Sequence, residues 1–283
     1  MASRRLVWRC GGRELVCGER TLVMGILNVT PDSFSDGGLF LDPEAAVAHA
    51  RRMVEEGADI VDVGGESTRP GSDPVPPEEE RKRVLPVIEA LAPELEVPIS
   101  VDTRRAEVAA AALEAGASIV NDVTAGADPD MFAVVRDAGA GMVLMHMKGE
   151  PKTMQRDPRY DDVVAEVRAY LAARLDAAAR AGIDAERLCV DPGIGFGKTL
   201  EHNLLLLRHV DALVDLGRPV LVGPSRKSFI GTLLDLPPDQ RVEGTLGAVC
   251  WAAARGAHAV RVHDVREAVR ALRVVDAIAR AGG

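Results

Sequence analysis

Eight times the chain runs through a short apolar stretch, stops on a polar or small residue and enters a helix-like segment, and no other feature restricts its fold as much. The first four stretches are Leu22–Leu27 ending in Asn28, Ile60–Val63 ending in Gly64-Gly65-Glu66, Pro98–Val101 ending in Asp102, and Ser118–Val120 ending in Asn121-Asp122. The others are Met142–Met145 ending in His146, Leu188–Val190 ending in Asp191, Val220–Val222 leading into Ser225-Arg226-Lys227, and Ala259–Val262 closing on His263. Near-continuous apolar strands of this length, each followed by an amphipathic segment too long for a turn, are βα units of a parallel sheet covered by helices. Eight such units predict an α/β fold, a single (β/α)8 barrel of the TIM type.

The segment Leu6 to Arg20, two short apolar pieces around Gly11-Gly12, reads as a β-hairpin at the barrel bottom. Residues 1–20 are therefore expected to belong to the barrel domain that residues 21–283 form. Helices are expected over Pro43–Glu56, Arg105–Ala115, Val163–Ala181 and Val265–Ala279, with Gly57, Gly116, Gly182 and Gly256 as stops. The seventh unit is longer, with one helix from Lys227 to about Leu236, the breaker Pro237-Pro238, and a second helix from about Val242 to Arg255.

A barrel gathers the residues at its strand ends onto one mouth, where sites in this fold lie. Residue usage points to the same place. Of only three asparagines, Asn28 and Asn121 stand at strand ends, while Asn203 falls inside a helix-like stretch and reads as structural. Of five lysines, Lys198 and Lys227 fall just after the sixth and seventh strands. Two connections are long and rich in Gly, Pro, Ser and Asp: Val29 to Gly38, which carries Phe34, and Glu66 to Pro77, which carries Arg69. Long βα loops of that composition in a compact domain are binding loops.

Other function classes recede. A net charge of −9 argues against nucleic acid or an anionic membrane as partner, and no apolar run is long enough to span a bilayer. Arg4 and Arg5 are followed by no apolar stretch of the kind a secretory signal needs, and Cys10, Cys17, Cys189 and Cys250 show neither a C-x-x-C pair nor zinc spacing. Reduced cysteines in a cytoplasmic protein are expected. Gly197-Lys198-Thr199 ends like a phosphate-binding loop, but Pro192 occupies the place of its first glycine, and Gly193, Gly195 and Gly197 miss dinucleotide spacing. His146 reads as a hydrogen-bonding group within the mouth and Met145 as pocket wall; His49, His202, His209 and His258 read as structural.

The run Gly25 to Gly38, the run Gly64 to Gly71, Ser100-Val101-Asp102-Thr103, Asp191-Pro192-Gly193-Ile194-Gly195-Phe196-Gly197-Lys198, Ser225-Arg226-Lys227-Ser228 and Arg261-Val262-His263-Asp264 together resemble the dihydropteroate synthase family. That resemblance spans the first strand to the eighth in order. It implies condensation of 6-hydroxymethyl-7,8-dihydropterin diphosphate with 4-aminobenzoate in folate synthesis. It further implies Asp102, Asn121, Asp191 and Lys227 around the pterin, with Met145 and Phe196 against it. Arg261 and His263 go to the diphosphate, and Asn28 goes to a Mg2+ ion. Phe34, Pro70 and Ser228 go to the second substrate, Thr68 and Arg69 to the ordering of the loops over it and to phosphate, with Asp36 tying those loops together. Asp102, Lys227, Arg261 and His263 carry the catalytic expectation. A homodimer and inhibition by sulfonamides are also implied. The rival readings are a pterin-binding methyltransferase domain, against which Lys227 and the Arg261/His263 pair speak, and a non-catalytic pterin-binding paralogue.

Overall fold

The structure, a computed structural model, describes residues 5–30, 43–67 and 72–281. Two antiparallel strands, β1 (Leu6–Cys10) and β2 (Arg13–Cys17), form the hairpin. Eight parallel strands follow: β3 (Leu22–Asn28), β4 (Ile60–Gly64), β5 (Ile99–Asp102), β6 (Ile119–Asp122), β7 (Gly141–Met145), β8 (Leu188–Asp191), β9 (Leu221–Val222) and β10 (Ala259–Val262). Their order is β8-β7-β6-β5-β4-β3-β10-β9. A parallel bridge between Val190 and Val220, with Val190 N–H donating to Pro219 O at 2.9 Å, joins the two ends and closes the barrel.

The outer ring holds α1 (Pro43–Glu55), α2 (Pro77–Leu91), α3 (Ala106–Glu114), α4 (Met131–Ala138), α5 (Val163–Arg180), α6 (Leu200–Arg208) and α7 (Asp211–Val214). It is completed by α8 (Ser228–Leu234), α9 (Val242–Ala254) and α10 (Val265–Arg280). The expected stops at Gly57, Gly116, Gly182 and Gly256 are all left-handed. Helix α5 starts where the Asp162 carboxylate accepts from Val164 and Ala165 N–H, both at 3.0 Å. The doubled seventh unit is present as α8, a short 3-10 turn at Pro238–Gln240, and α9.

Several strands run one or two residues past the apolar stretches. Asn28, Asp102, Asp122 and Asp191 each close a strand, so the polar residues belong to the ladder and inherit its rigidity. The hairpin plugs the opposite end. Trp8, Cys10 and Cys17 pack with Leu22, Met24, Ile60, Ile119, Val143, Cys189, Leu221 and Ala259 in one buried cluster. Trp8 Nε1 donates to Arg187 O at 3.0 Å, which satisfies the polar end of the buried indole. With the floor filled by apolar side chains, the polar end of the barrel is the one that remains to receive a ligand. No helix among the described residues is long and apolar enough to cross a membrane.

Candidate active site

Strand register builds the first wall. Asn28 pairs with Gly64, Gly64 with Asp102, and Asp102 with Asn121, so these four form one row across β3, β4, β5 and β6. Side chains in such a row point the same way. Gly64 leaves a gap within it. A β-carbon there would lie 3.5 Å from Asp102 Cβ and 3.9 Å from Asn28 Oδ1, so the Asn28 and Asp102 side chains face each other across the glycine.

Arg261, from β10, reaches into that wall. Its Nε donates to Asp62 Oδ2 and its Nη2 to Asp102 Oδ2, both at 2.6 Å. Asp62 Oδ2 also accepts from Asn121 Nδ2 at 3.1 Å, which leaves the Asn121 carbonyl oxygen for another partner. Burial pushes the Asp102 carboxyl up to about 7; Arg261 opposes the shift and the negative charge of Asp62 adds to it. For Arg261, burial works against the charge, but Asp62 and Asp102 outweigh it and hold the guanidinium protonated. The fork expected to meet phosphate is therefore turned partly inward, with Nε and Nη2 committed to carboxylates.

The facing wall comes from β7, β8 and β9. Asp191, 5% exposed, accepts from Gly193 N–H at 2.6 Å. Burial raises its pKa, and the nearby Lys227 counters that. Lys227 donates to the Ile194 carbonyl and lies 4.6 Å from the Phe196 ring centroid. Burial pushes its ammonium down to about 8, against the pull of Asp191. Met145, buried, is the register partner of Asp191. A side chain at Gly223 would start 3.6 Å from Arg261 Cβ and 3.9 Å from Lys227 Nζ, so the glycine keeps the space between these cations open.

The loop between β8 and α6 explains the glycine spacing that matched no nucleotide motif. Gly193, Gly195 and Gly197 all have left-handed backbones (φ +67°, +84° and +64°). A β-carbon on Gly193 would run into the His146 carbonyl oxygen, and one on Gly197 into that of Lys148. Two loops thus lie backbone against backbone. Lys198, 3% exposed, staples them: its Nζ meets His146 Nδ1 at 3.0 Å, Phe196 O at 2.9 Å and His146 O at 3.4 Å. Asn203 Oδ1 accepts from Gly195 N–H at 2.7 Å, so this asparagine orders the same loop from inside α6. His146, with its pKa pushed down to about 3 by burial and then by Lys198, is a neutral acceptor here.

Next to this wall, His263 follows β10 directly and its Nδ1 meets Ser225 Oγ at 2.9 Å. Ser228 is exposed at the first position of α8. Phe34, Asp36, Thr68, Arg69 and Pro70 lie outside the described residues. The structure thus gathers Asn28, Asp102, Asn121, Met145, Asp191, Phe196, Lys227, Ser228, Arg261 and His263 at the carboxyl ends of the strands or just beyond them. Sequence reasoning missed Asp62 and Asn203 as parts of this end of the barrel, and marked Lys198 only by its place after the sixth strand. The available signal for Asp62 was a lone charge inside an apolar strand run. A separate groove of about 530 Å3 on the outer flank, between α1 and α10, is lined by Arg52, Glu55, Glu56, Arg266, Val269, Arg270 and Arg273. It has no buried polar set of this kind.

Such a mouth can satisfy a flat, polar-edged heterocycle with buried carboxylates, a carboxamide and an ammonium, while Arg261 supplies positive charge beside it. Comparison with known proteins points the same way. The family described as pterin binding enzyme matches residues 24–263. The dihydropteroate synthase of Synechocystis sp. is 51% identical over 93% of this chain and 92% of its own length. A structure of the Xanthomonas albilineans dihydropteroate synthase with 4-aminobenzoic acid superposes with a TM-score of 0.91 at 52% identity, covering 99% of both chains. Another, of the same organism's enzyme in complex with 7,8-dihydropteroate, gives 0.88 at 49% identity over 98% of this chain and 100% of that one. The chain belongs to the dihydropteroate synthase family of pterin-binding enzymes.

Proposed function

We propose that the chain condenses 6-hydroxymethyl-7,8-dihydropterin diphosphate with 4-aminobenzoate, giving 7,8-dihydropteroate and diphosphate. The observation that carries this reading is the meeting of Asp102, Asn121, Asp191, Lys227 and Arg261 at one mouth, in a chain of this family. In the proposed mode, Asp191 accepts from the amino and ring N–H edge of the pterin, Asn121 offers its carbonyl oxygen, and Lys227 donates to the pterin carbonyl. Phe196 and Met145 bound the ring. The bond between the pterin methylene carbon and the diphosphate oxygen breaks, and its electron pair leaves with the diphosphate. The aniline nitrogen then forms the new carbon–nitrogen bond and gives up a proton to water.

Positive charge has to stand where the anion departs. Arg261 Nη1 and the His263 ring serve that end in this reading, and the ionised Asp102 carboxylate steadies the electron-poor pterin once the anion has left. A weakly basic aniline gains more from position than from deprotonation. No nucleophilic side chain is needed. We assign Phe34, Pro70 and Ser228 to the aminobenzoate side, Thr68 and Arg69 to loop order and phosphate, and Asp36 to loop closure.

A magnesium ion fits this rim. Asn28 Oδ1 is a hard oxygen donor facing the gap at Gly64, with Asp102 across it. Among the described residues no cluster of three His, Cys, Asp or Glu could cage a metal, so the ion would take the rest of its ligands from water and diphosphate. When bound, it would offset charge on the leaving group.

The hairpin and barrel act together as one catalytic domain in this proposal. Free cysteines, three of them buried, suit a reducing cytoplasm. Exposed Trp251 on α9, with Val274 and Ile278 on α10, supplies apolar surface for a homodimer. The test is to mix purified protein with pterin diphosphate, 4-aminobenzoate and magnesium and to follow dihydropteroate and diphosphate together. Equal amounts of both products support the reading. Pterin binding without diphosphate release would make the chain a binding paralogue.

A further inference from the structure

Two neighbouring turns of the mouth are joined by a pair of rungs. Ser225 and Arg226, after β9, face His263 and Asp264, after β10. In the first rung, Ser225 Oγ lies 2.9 Å from His263 Nδ1 and accepts from His263 backbone N–H at 3.2 Å. In the second, Arg226 Nε donates to Asp264 Oδ2 at 3.0 Å and Arg226 Nη2 to Asp264 Oδ1 at 2.5 Å. Arg226 is held left-handed (φ +57°), a conformation that costs a non-glycine residue about 1–2 kcal/mol. It persists because Arg226 is fastened on all sides. Its N–H donates to the buried Thr245 Oγ1 at 3.0 Å and its carbonyl accepts from Arg241 Nη1 at 3.0 Å.

The ring contact alone allows two arrangements. Either the serine hydroxyl donates to a bare Nδ1, or a protonated Nδ1 donates to the oxygen. Hydrogen-bond accounting separates them. Ser225 is 5% exposed, so its proton needs an acceptor within the protein. Among the described residues, His263 Nδ1 is the acceptor within hydrogen-bond distance of that hydroxyl. If Nδ1 carried the proton, Ser225 Oγ would receive from both the ring and the backbone N–H while its own proton stayed buried and unpaired. That arrangement forfeits about 1–3 kcal/mol.

We infer that Ser225 is a positioning residue that holds the His263 imidazole with Nδ1 as acceptor and the proton on Nε2. The ring's N–H is then the one on Nε2, and the Arg226–Asp264 rung keeps the two turns in step. The consequence for catalysis rests on the functional reading above, in which His263 faces the departing diphosphate. A neutral ring in this tautomer offers that anion an N–H group; the other tautomer would present it with a lone pair. The tautomer itself does not depend on the reading.

Long-range proton–nitrogen NMR on protein labelled in its histidines reports the tautomer directly, with the His263 signals among the six identified by their loss in H263Q. The inference expects an acceptor-type Nδ1 and a protonated Nε2 in the unsubstituted protein. S225A should show a mixture of tautomers, S225T should restore the single form, and a thermal melt of each variant confirms that it is folded. Because negative charge grows on the leaving group during reaction, S225A should lower kcat by about tenfold and leave KM for 4-aminobenzoate unchanged. A protonated Nδ1 in the unsubstituted protein, or an unaltered tautomer in S225A, overturns the inference. Unchanged kcat in H263Q would overturn the anion role given to this residue, and with it the functional half of the inference. The tautomer stands or falls on the spectrum alone.

Discussion

Asp62 lies beneath the proposed pterin site at 0% exposure, and replacing it separates two effects that most substitutions mix. Its Oδ2 accepts from Arg261 Nε at 2.6 Å and from Asn121 Nδ2 at 3.1 Å, while Oδ1 is buried without a partner among the described residues. Asp62→Asn keeps a carbonyl oxygen at the Oδ2 position, so both donors stay satisfied. The new amide nitrogen falls where Oδ1 was, beside Ser100, the register partner of residue 62, whose hydroxyl also lacks a partner among the described residues. What is lost is the charge behind two hydrogen bonds, a change of about 2 kcal/mol, and removing a buried carboxylate offsets part of it. The melting temperature should fall by no more than about 4 °C. Asp62→Ala instead leaves a buried guanidinium nitrogen and a buried amide unpaired, at a cost of about 3–5 kcal/mol.

The same conservative change has an electrostatic effect of definite sign. The Asp62 charge is one of the groups that raise the Asp102 pKa, with burial the larger one and Arg261 opposing. Removing that charge lowers the Asp102 pKa from about 7, though burial keeps it above the ordinary carboxylate range. In the proposed mechanism Asp102 works ionised, so kcat/KM for the pterin diphosphate rises with pH through this group. Asp62→Asn should therefore move the acid limb of the pH profile to lower pH while barely changing stability. An acid limb that stays in place, or moves up, would refute the coupling between Asp62 and Asp102.

Other consequences follow from neighbouring groups. Lys227, with its pKa near 8, is needed as an ammonium, so kcat/KM should fall again as pH rises through that region; an alkaline limb that survives in a Lys227→Met variant would belong to another group. Asp191→Asn should weaken pterin binding by about 1–3 kcal/mol, the cost of a mismatched buried hydrogen bond, and calorimetry giving unchanged affinity would remove Asp191 from the site. Gly193→Ala places a side chain on a left-handed backbone against the His146 carbonyl and should destabilise the fold by at least about 2 kcal/mol; urea unfolding with an unaltered midpoint would contradict that packing. Sulfonamides, which mimic the aminobenzoate, should raise its apparent KM without lowering kcat in steady-state assays.

The periodic part of this fold could be read from the chain. Apolar runs ending on polar residues mark the strands, and glycines mark the helix stops, because both signals are local. Asn28, Asp102, Asn121 and Asp191 were visible for the same reason, each standing where a run ends. Asp62 was not, since a single carboxylate inside Ile60–Gly64 gives no hint of the arginine that neutralises it 199 residues later. Lys198 and His146 likewise meet across 52 residues of sequence, and Asn203 reaches back to Gly195 from a helix where its neighbours suggest only a structural role. The inward turn of Arg261 depends on where Asp62 sits and was equally hidden. Tertiary proximity, not residue type, decided each of these.

A crystal structure of the chain with 7,8-dihydropteroate tests the central claim most directly. The pterin edge should lie within hydrogen-bond distance of Asn121, Asp191 and Lys227, with the aminobenzoate end toward Ser228. A product molecule seated in the groove between α1 and α10, or anywhere else away from the strand ends, would contradict it.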